Sequence, residues 1–192
     1  MKKKVLIVQP IHQSGVDILK DKLEVRVAPD ASVPTLIREI SGVHGAIVRT
    51  APFPREVIEK ADSLKVIARH GVGVDNIDVE AATERGILVV NTPEANAVSV
   101  AEATLLYILA LAKRLFDADR ATREGRFEWR NSYEAIDVDG KVLGVVGAGR
   151  VGSLVAKKCS LAFGMRVLIY DPYVGDKDLG IPGARFCSSI EE

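Results

Sequence analysis

The chain is poor in the residues from which metal centres and cross-linked scaffolds are built. Its 192 residues include two cysteines and three histidines. Cys159 and Cys187 stand too far apart for metal-ligand spacing, so no metal site is expected, and free thiols in an intracellular protein are their expected state. A charge excess is missing as well, with 26 basic residues against 26 acidic ones. Binding to nucleic acid draws on a basic surface that displaces counterions, so no nucleic-acid partner is expected. Long apolar runs are also absent at the start. In "MKKKVLIVQP" the apolar stretch covers only Val5 to Val8 before Gln9 and Pro10 interrupt it. A signal peptide needs a longer core and a small-residue cleavage site. The expectation is a buried first strand in a cytoplasmic protein with no membrane partner.

What the chain does have is enough apolar material for a real core, 47% of its residues. Short apolar runs alternate with helical patterns. Strands are expected at Lys4–Gln9, Glu24–Ala28, Gly45–Thr50, Lys65–His70 and Ile87–Asn91. Helices are expected from a Ser14 cap through Lys22, over Ser32–Ile40 with Pro34 in the first turn, and over Pro54–Lys60. Strands separated by helices imply a parallel sheet covered on both faces. The fold class expected is therefore α/β, with residues 1–97 as one domain and 98–192 as a second.

Ser99 and Glu102 have the spacing of a capping box, and "AEATLLYILALAKRL" after them is apolar around most of its circumference. A membrane span needs about 20 apolar residues, and Glu102 and Lys113 interrupt this stretch. It reads as a helix buried between domains, at a subunit interface, or both, with a homodimer expected through it. Gly125 to Gly140 reads as a polar connection anchored by Trp129.

"KVLGVVGAGRVG" then runs from a strand into Gly147, Gly149 and Gly152, a G-x-G-x-x-G turn, and on into a helix ending near Phe163. The first glycine allows the tight turn. The second lets backbone approach a pyrophosphate, and the third lets helix pack on strand. The helix N-terminus offers N–H groups and partial positive charge to phosphates. "RVLIYD" follows as a strand ending in Asp171, placed to accept hydrogen bonds from ribose hydroxyls. A carboxylate there repels a 2′-phosphate, so NAD is the expected cofactor rather than NADP. A structural turn with a chance acid is the alternative.

A second glycine turn, "RHGVGVDNID", places Gly71 and Gly73 at the end of another strand, where open α/β sheets bind ligands. Adjacent N–H groups there can hold an anion, and Arg49 or Arg69 could grip one with two parallel bonds. The alternative is a tight turn whose arginines pair with Asp75 or Asp78.

The run from "RHGVGVDNID" through "NTPEANAVSVAEATLLYILALAKR", with "GKVLGVVGAGRVG" and "YDPY", resembles the D-isomer-specific 2-hydroxyacid dehydrogenases, nearest their phosphoglycerate-oxidising and hydroxypyruvate-reducing branches. The resemblance covers nearly the whole chain. It implies a flavodoxin-like substrate domain before a Rossmann NAD-binding domain, and hydride transfer between NAD and C2 of a small 2-hydroxy acid. By the same resemblance, Val72 and Gly73 would hold the substrate carboxylate through N–H groups, Arg49 and Arg69 would approach its anionic end, and Asn76 would support the loop. Thr104 would lie near the nicotinamide, Arg150 and Val151 would meet the pyrophosphate, and Asp171 the ribose. The family's catalytic Arg, Glu and acid/base His lie beyond "YDPY" and the second half of the nucleotide domain, so none of them is expected in these 192 residues. His12, His44 and His70 read as structural or solvated. A hydroxypyruvate/glyoxylate reductase-like enzyme and a non-catalytic dinucleotide-binding module, of the kind found in corepressors, are the alternative functions. "GARFCSSIEE" reads as a strand and then a capping box, Ser188 to Glu191, opening a further helix, which together with the half-built nucleotide domain suggests part of a longer protein.

Overall fold

The computed structural model describes residues 2–174 and 179–192. The chain divides into two compact units, Met1–Ala95 and Asn96–Glu192.

The first unit runs β1 (Lys4–Ile7), α1 (Gln13–Lys20), β2 (Glu24–Val27), α2 (Val33–Glu39), β3 (Gly45–Val48), α3 (Arg55–Lys60), β4 (Val66–Arg69), α4 (Val79–Glu84) and β5 (Leu88–Val90). Its sheet is parallel, in the order β2-β1-β3-β4-β5. Inner strand β1 beyond Lys4, and central β3 throughout, carry no polar side chain because helices cover both faces of a parallel sheet. Leu6, Val48, Phe53 and Ile67 are fully buried in its core. Emptying such a site, as in Phe53→Ala, costs about 3–5 kcal/mol.

Two details depart from the sequence reading. The cap of α1 is His12, not Ser14: its Nδ1 accepts the Ser14 N–H at 3.3 Å, and the helix stops at Lys20. An imidazole nitrogen with a free lone pair does here what a hydroxyl oxygen does at most caps. The sequence reading also passed over α4. Asp78 caps it by accepting the Ala81 N–H at 2.8 Å. His44 is structural, its Nδ1 accepting the Lys4 N–H at 3.2 Å.

The second unit runs α5 (Ala97–Ala112), α6 (Leu115–Arg123), a 3-10 turn (Phe127–Asn131), β6 (Val142–Val146), α7 (Arg150–Phe163), β7 (Arg166–Tyr170) and β8 (Ala184–Phe186). The sheet is parallel, in the order β6-β7-β8. The N-cap of α5 is Asn96, so Ser99 lies inside the helix rather than capping it. Glu102 reaches Lys158 of α7 at 3.8 Å instead of closing a capping box. Ala101, Val155 and Cys159 are buried where these two helices pack, whereas Leu106, Tyr107 and Leu111 are exposed. The apolar run is also two helices rather than one. Arg114 breaks it with φ +51°, and its guanidinium bonds Asp117 while lying over Trp129 and Tyr133, which stack at 3.9 Å. Trp129 thus anchors the connection as expected, from a helical turn rather than a plain loop.

The glycines set the ends of α7. Gly149 is its N-cap and Gly164, left-handed at φ +57°, its C-cap. The Ser188 capping box opens no helix within residues 188–192. The Ser188 N–H and hydroxyl both go to the Glu192 carboxylate, at 2.8 and 3.0 Å.

Candidate functional sites

In a parallel sheet, ligands gather outside the carboxyl ends of the strands. In the second unit the turn from β6 to α7 lies there. Gly147 has φ +96°, which disfavours any residue with a Cβ. At Gly152 an added Cβ would stand 1.9 Å from the Gly147 carbonyl oxygen, so the helix can approach the turn only because that Cβ is missing. Gly149 is different. Its φ of −68° is ordinary, and a Cβ there would meet no described residue within 4 Å. Neither backbone conformation nor packing among the described residues calls for glycine at that position. The turn opens on a cavity of about 620 Å³ lined by Thr104 and Ile108 of α5, Leu143 and Val145 of β6, Gly147, Gly149, and Arg150, Val151 and Gly152 of α7. Among the described residues no side chain caps α7, and the first turn of any helix has N–H groups without intrahelical partners.

Asp171, just after β7, is tied to this turn. One carboxylate oxygen accepts the Ala148 N–H at 2.7 Å, and the other accepts those of Tyr173 and Val174 at 2.8 and 2.9 Å. These N–H groups, Tyr173 first, hold the carboxyl below the usual aspartate range. The residues expected at a dinucleotide site, namely Thr104, Gly147, Gly149, Arg150, Val151 and Gly152, therefore line one cavity, with Asp171 bonded to the turn. Sequence reasoning missed Ser153, whose hydroxyl donates to the Ala148 carbonyl at 2.6 Å and fastens helix to turn.

In the first unit, β3 and β4 pair with Val48 opposite Arg69, which brings Arg49 and Arg69 to the same edge. Arg49 donates to the Pro10 carbonyl at 2.8 Å. Asn76 donates from its amide to the Arg49 and Ala51 carbonyls at 3.2 and 2.7 Å, fastening the second glycine loop to the end of β3. Val72 and Gly73 form the exposed tip of that loop. Asp78 is engaged elsewhere, capping α4 and pairing with Arg55 at 3.6 Å, and neither loop arginine pairs with it or with Asp75 among the described residues. Two further supports were missed because they act across long stretches of sequence. Gln9 accepts the Thr50 and Ala51 N–H groups at 2.8 and 2.7 Å, and Asn91 donates to the Val72 carbonyl at 2.7 Å. His70 is exposed beside the loop.

Residues 5–175 match the model of the D-isomer specific 2-hydroxyacid dehydrogenase catalytic domain. The chain belongs to this family. Among its relatives, the D-3-phosphoglycerate dehydrogenase of Methanocaldococcus jannaschii is 42% identical over 190 residues, covering 98% of this chain and 36% of the relative. That of Archaeoglobus fulgidus is 46% identical over 173 residues, covering 89% and 32%. The chain thus spans about a third of the length of these curated relatives. A D-lactate dehydrogenase from Aquifex aeolicus, solved with NAD and lactic acid, superposes with a TM-score of 0.82 at 32% identity, over 97% of this chain and 56% of that one. The family's α/β architecture with parallel sheets is that of both units. Among the described residues no helix is long and apolar enough to cross a membrane, and no cluster of three His, Cys, Asp or Glu side chains could hold a metal ion.

Proposed function

We propose that the chain serves an NAD-dependent oxidoreductase of the phosphoglycerate dehydrogenase type, its second unit holding the dinucleotide and its first unit the 2-hydroxy acid. The observation that carries this reading is Gly149. Its bare Cα faces space that no described residue fills, at the start of a helix with no side-chain cap among those residues. A pyrophosphate needs such an approach, and N–H groups of the first turn of α7 would hold it. Asp171 would accept the adenosine ribose hydroxyls while repelling a 2′-phosphate, favouring NAD over NADP. Thr104 would border the nicotinamide side. When bound, NAD accepts the hydride from C2 of the hydroxy acid.

On the acid side, the N–H groups of Val72 and Gly73 would hold the carboxylate, with Arg49 and Arg69 meeting the anionic end. Asn76 keeps this loop at the end of β3. No residue of this chain is assigned the proton transfer. The 192 residues by themselves are expected to bind the adenosine end of NAD weakly and to turn nothing over. The homodimer belongs to the same reading, through the exposed Leu106, Tyr107 and Leu111 face of α5.

Calorimetric titration with NADH and NADPH tests the nucleotide half. Gly149→Ala is expected to abolish NADH binding, and Asp171→Ala to bring the two affinities together. Undiminished binding by Gly149→Ala, or an unchanged affinity ratio in Asp171→Ala, overturns the corresponding assignment. Failure of the full gene product to reduce any of a panel of 2-oxo acids with NADH overturns the enzyme reading and favours a non-catalytic nucleotide-binding module. A preference for hydroxypyruvate or glyoxylate over phosphohydroxypyruvate moves the chain to the reductase branch.

A further inference from the structure

We infer that Gly71 is a positioning residue for Arg69: its bare Cα is the platform on which the guanidinium lies in the ligand-free protein, and Arg69 leaves it when an anion arrives at the carboxyl ends of β3 and β4. This rests on the reading of the second glycine loop as the acid-binding half, and concerns how that half works.

Three observations converge. First, the fit is close. A Cβ added at Gly71 would stand 2.1 Å from Nη1 and 2.7 Å from Cζ of Arg69, so any other residue displaces the guanidinium. Second, the platform is fixed. Gly71 sits at φ +150°, its N–H donates to the Arg69 carbonyl at 2.9 Å, and its own carbonyl accepts the N–H and hydroxyl of Thr92 at 3.0 and 3.2 Å. Third, the guanidinium is incompletely satisfied. Nη1 donates to the His70 carbonyl, but Nε is buried with no partner, and no other buried side-chain nitrogen or oxygen among the described residues is in that state.

A buried, charged N–H without an acceptor is unfavourable, because it has given up water for nothing. Of the neighbouring groups, Asn76 is committed to two strand-end carbonyls and Arg49 spends one donor on the Pro10 carbonyl. Arg69 is the group at this edge whose buried donor has no acceptor among the described residues. A carboxylate or phosphate presents two oxygens at the spacing of a guanidinium edge and takes two parallel bonds from it. Arg69 therefore has two positions. One is folded back on Gly71 with Nε unpaired, and the other is extended with Nε bonded to the anion. The loop backbone stays in place while the side chain moves.

The test is the Nε–H cross-peak of Arg69 in the ¹⁵N spectrum of the full-length protein, assigned by its loss in Arg69→Lys, with 3-phosphoglycerate as probe and calorimetry alongside. The expected result is a downfield proton shift of that peak on saturation. In ligand-free Gly71→Ala, where the platform is closed, the peak is expected to move in the same sense. Arg69→Ala is expected to weaken binding at least tenfold. If calorimetry shows binding and the Nε–H peak stays still, Arg69 has one position and the inference is overturned. If 3-phosphoglycerate does not bind, or Arg69→Ala binds as tightly as the native protein, the acid-binding reading of the loop falls first. Should Gly71→Ala fail to fold, the titration of the native protein still decides.

Discussion

Gly152→Ala and Gly149→Ala look alike on paper and should behave in opposite ways. At Gly152 the new Cβ would sit 1.9 Å from a backbone oxygen, where real contacts begin near 3.0 Å, so helix and turn must part by at least 1.1 Å. The atoms concerned are backbone and cannot rotate away. Val155, Ala156 and Cys159 further along α7 are buried, so the helix cannot lift without opening its own core. Overpacking of this kind costs about 3 kcal/mol. Alanine returns about 1 kcal/mol through its better helix propensity. The net loss is about 2 kcal/mol, or a fall in melting temperature of about 10 °C for a unit of this size. At Gly149 the new methyl meets no described residue, and the expected loss is the N-cap preference for glycine over alanine, under about 1 kcal/mol. Trp129, the sole tryptophan, lies in the second unit and reports its unfolding. Urea denaturation followed by Trp129 fluorescence should show a clearly lowered midpoint for Gly152→Ala and a nearly native one for Gly149→Ala, although only the latter alters the open cradle directly. A native midpoint for Gly152→Ala would refute the close-approach argument. An equal loss in Gly149→Ala would mean that its bare Cα serves the fold and not a ligand.

Two further outcomes follow from the titrating groups. The Asp171 carboxyl is held below its usual range by the N–H groups of Tyr173, Val174 and Ala148, so its anchoring of the turn is complete above the ordinary aspartate pKa and is lost only as pH falls through the lower folded value. A carboxyl ¹³C titration should place its midpoint below that of an exposed aspartate, and a midpoint at or above it would contradict the bonding described. Burial pushes the Cys159 thiol up, while Cys187 is partly exposed. A disulfide reagent on the native protein should therefore modify Cys187 well before Cys159, and equal rates would show that α7 opens readily.

The elements most legible in the sequence were those fixed by local chemistry. The bounds of α7 follow from a glycine at each end, and the strands from short apolar runs that a doubly covered sheet requires. Legibility failed where the deciding partner was of an unusual type or far away. A histidine capping α1 and a non-glycine residue turning left-handed at Arg114 both run against residue preference. Ser99 and Ser188 carry capping-box spacing, yet Glu102 pairs with Lys158 and Ser188 bonds Glu192 rather than Glu191. At the candidate sites, spacing was enough to bring Gly147, Gly149 and Gly152 onto one cavity. It could not reveal that Asp171 also bonds the Ala148 N–H, or that Gln9 reaches the end of β3, since those contacts span 23 and 41 or more positions.

The uniform direction of the strands puts the candidate site of each unit at one end of its sheet. Arg49, Arg69 and the glycine loop leave from one end of the first sheet, and the turn at Gly147 with Asp171 from one end of the second. Ser41 and Gly42 before β3, and Gly140 and Lys141 before β6, belong to the other ends. A fluorophore, a surface tether or an inserted tag placed at Ser41 or Lys141 would report on either unit, or hold it to a support, from the end of the sheet opposite the proposed dinucleotide and acid sites.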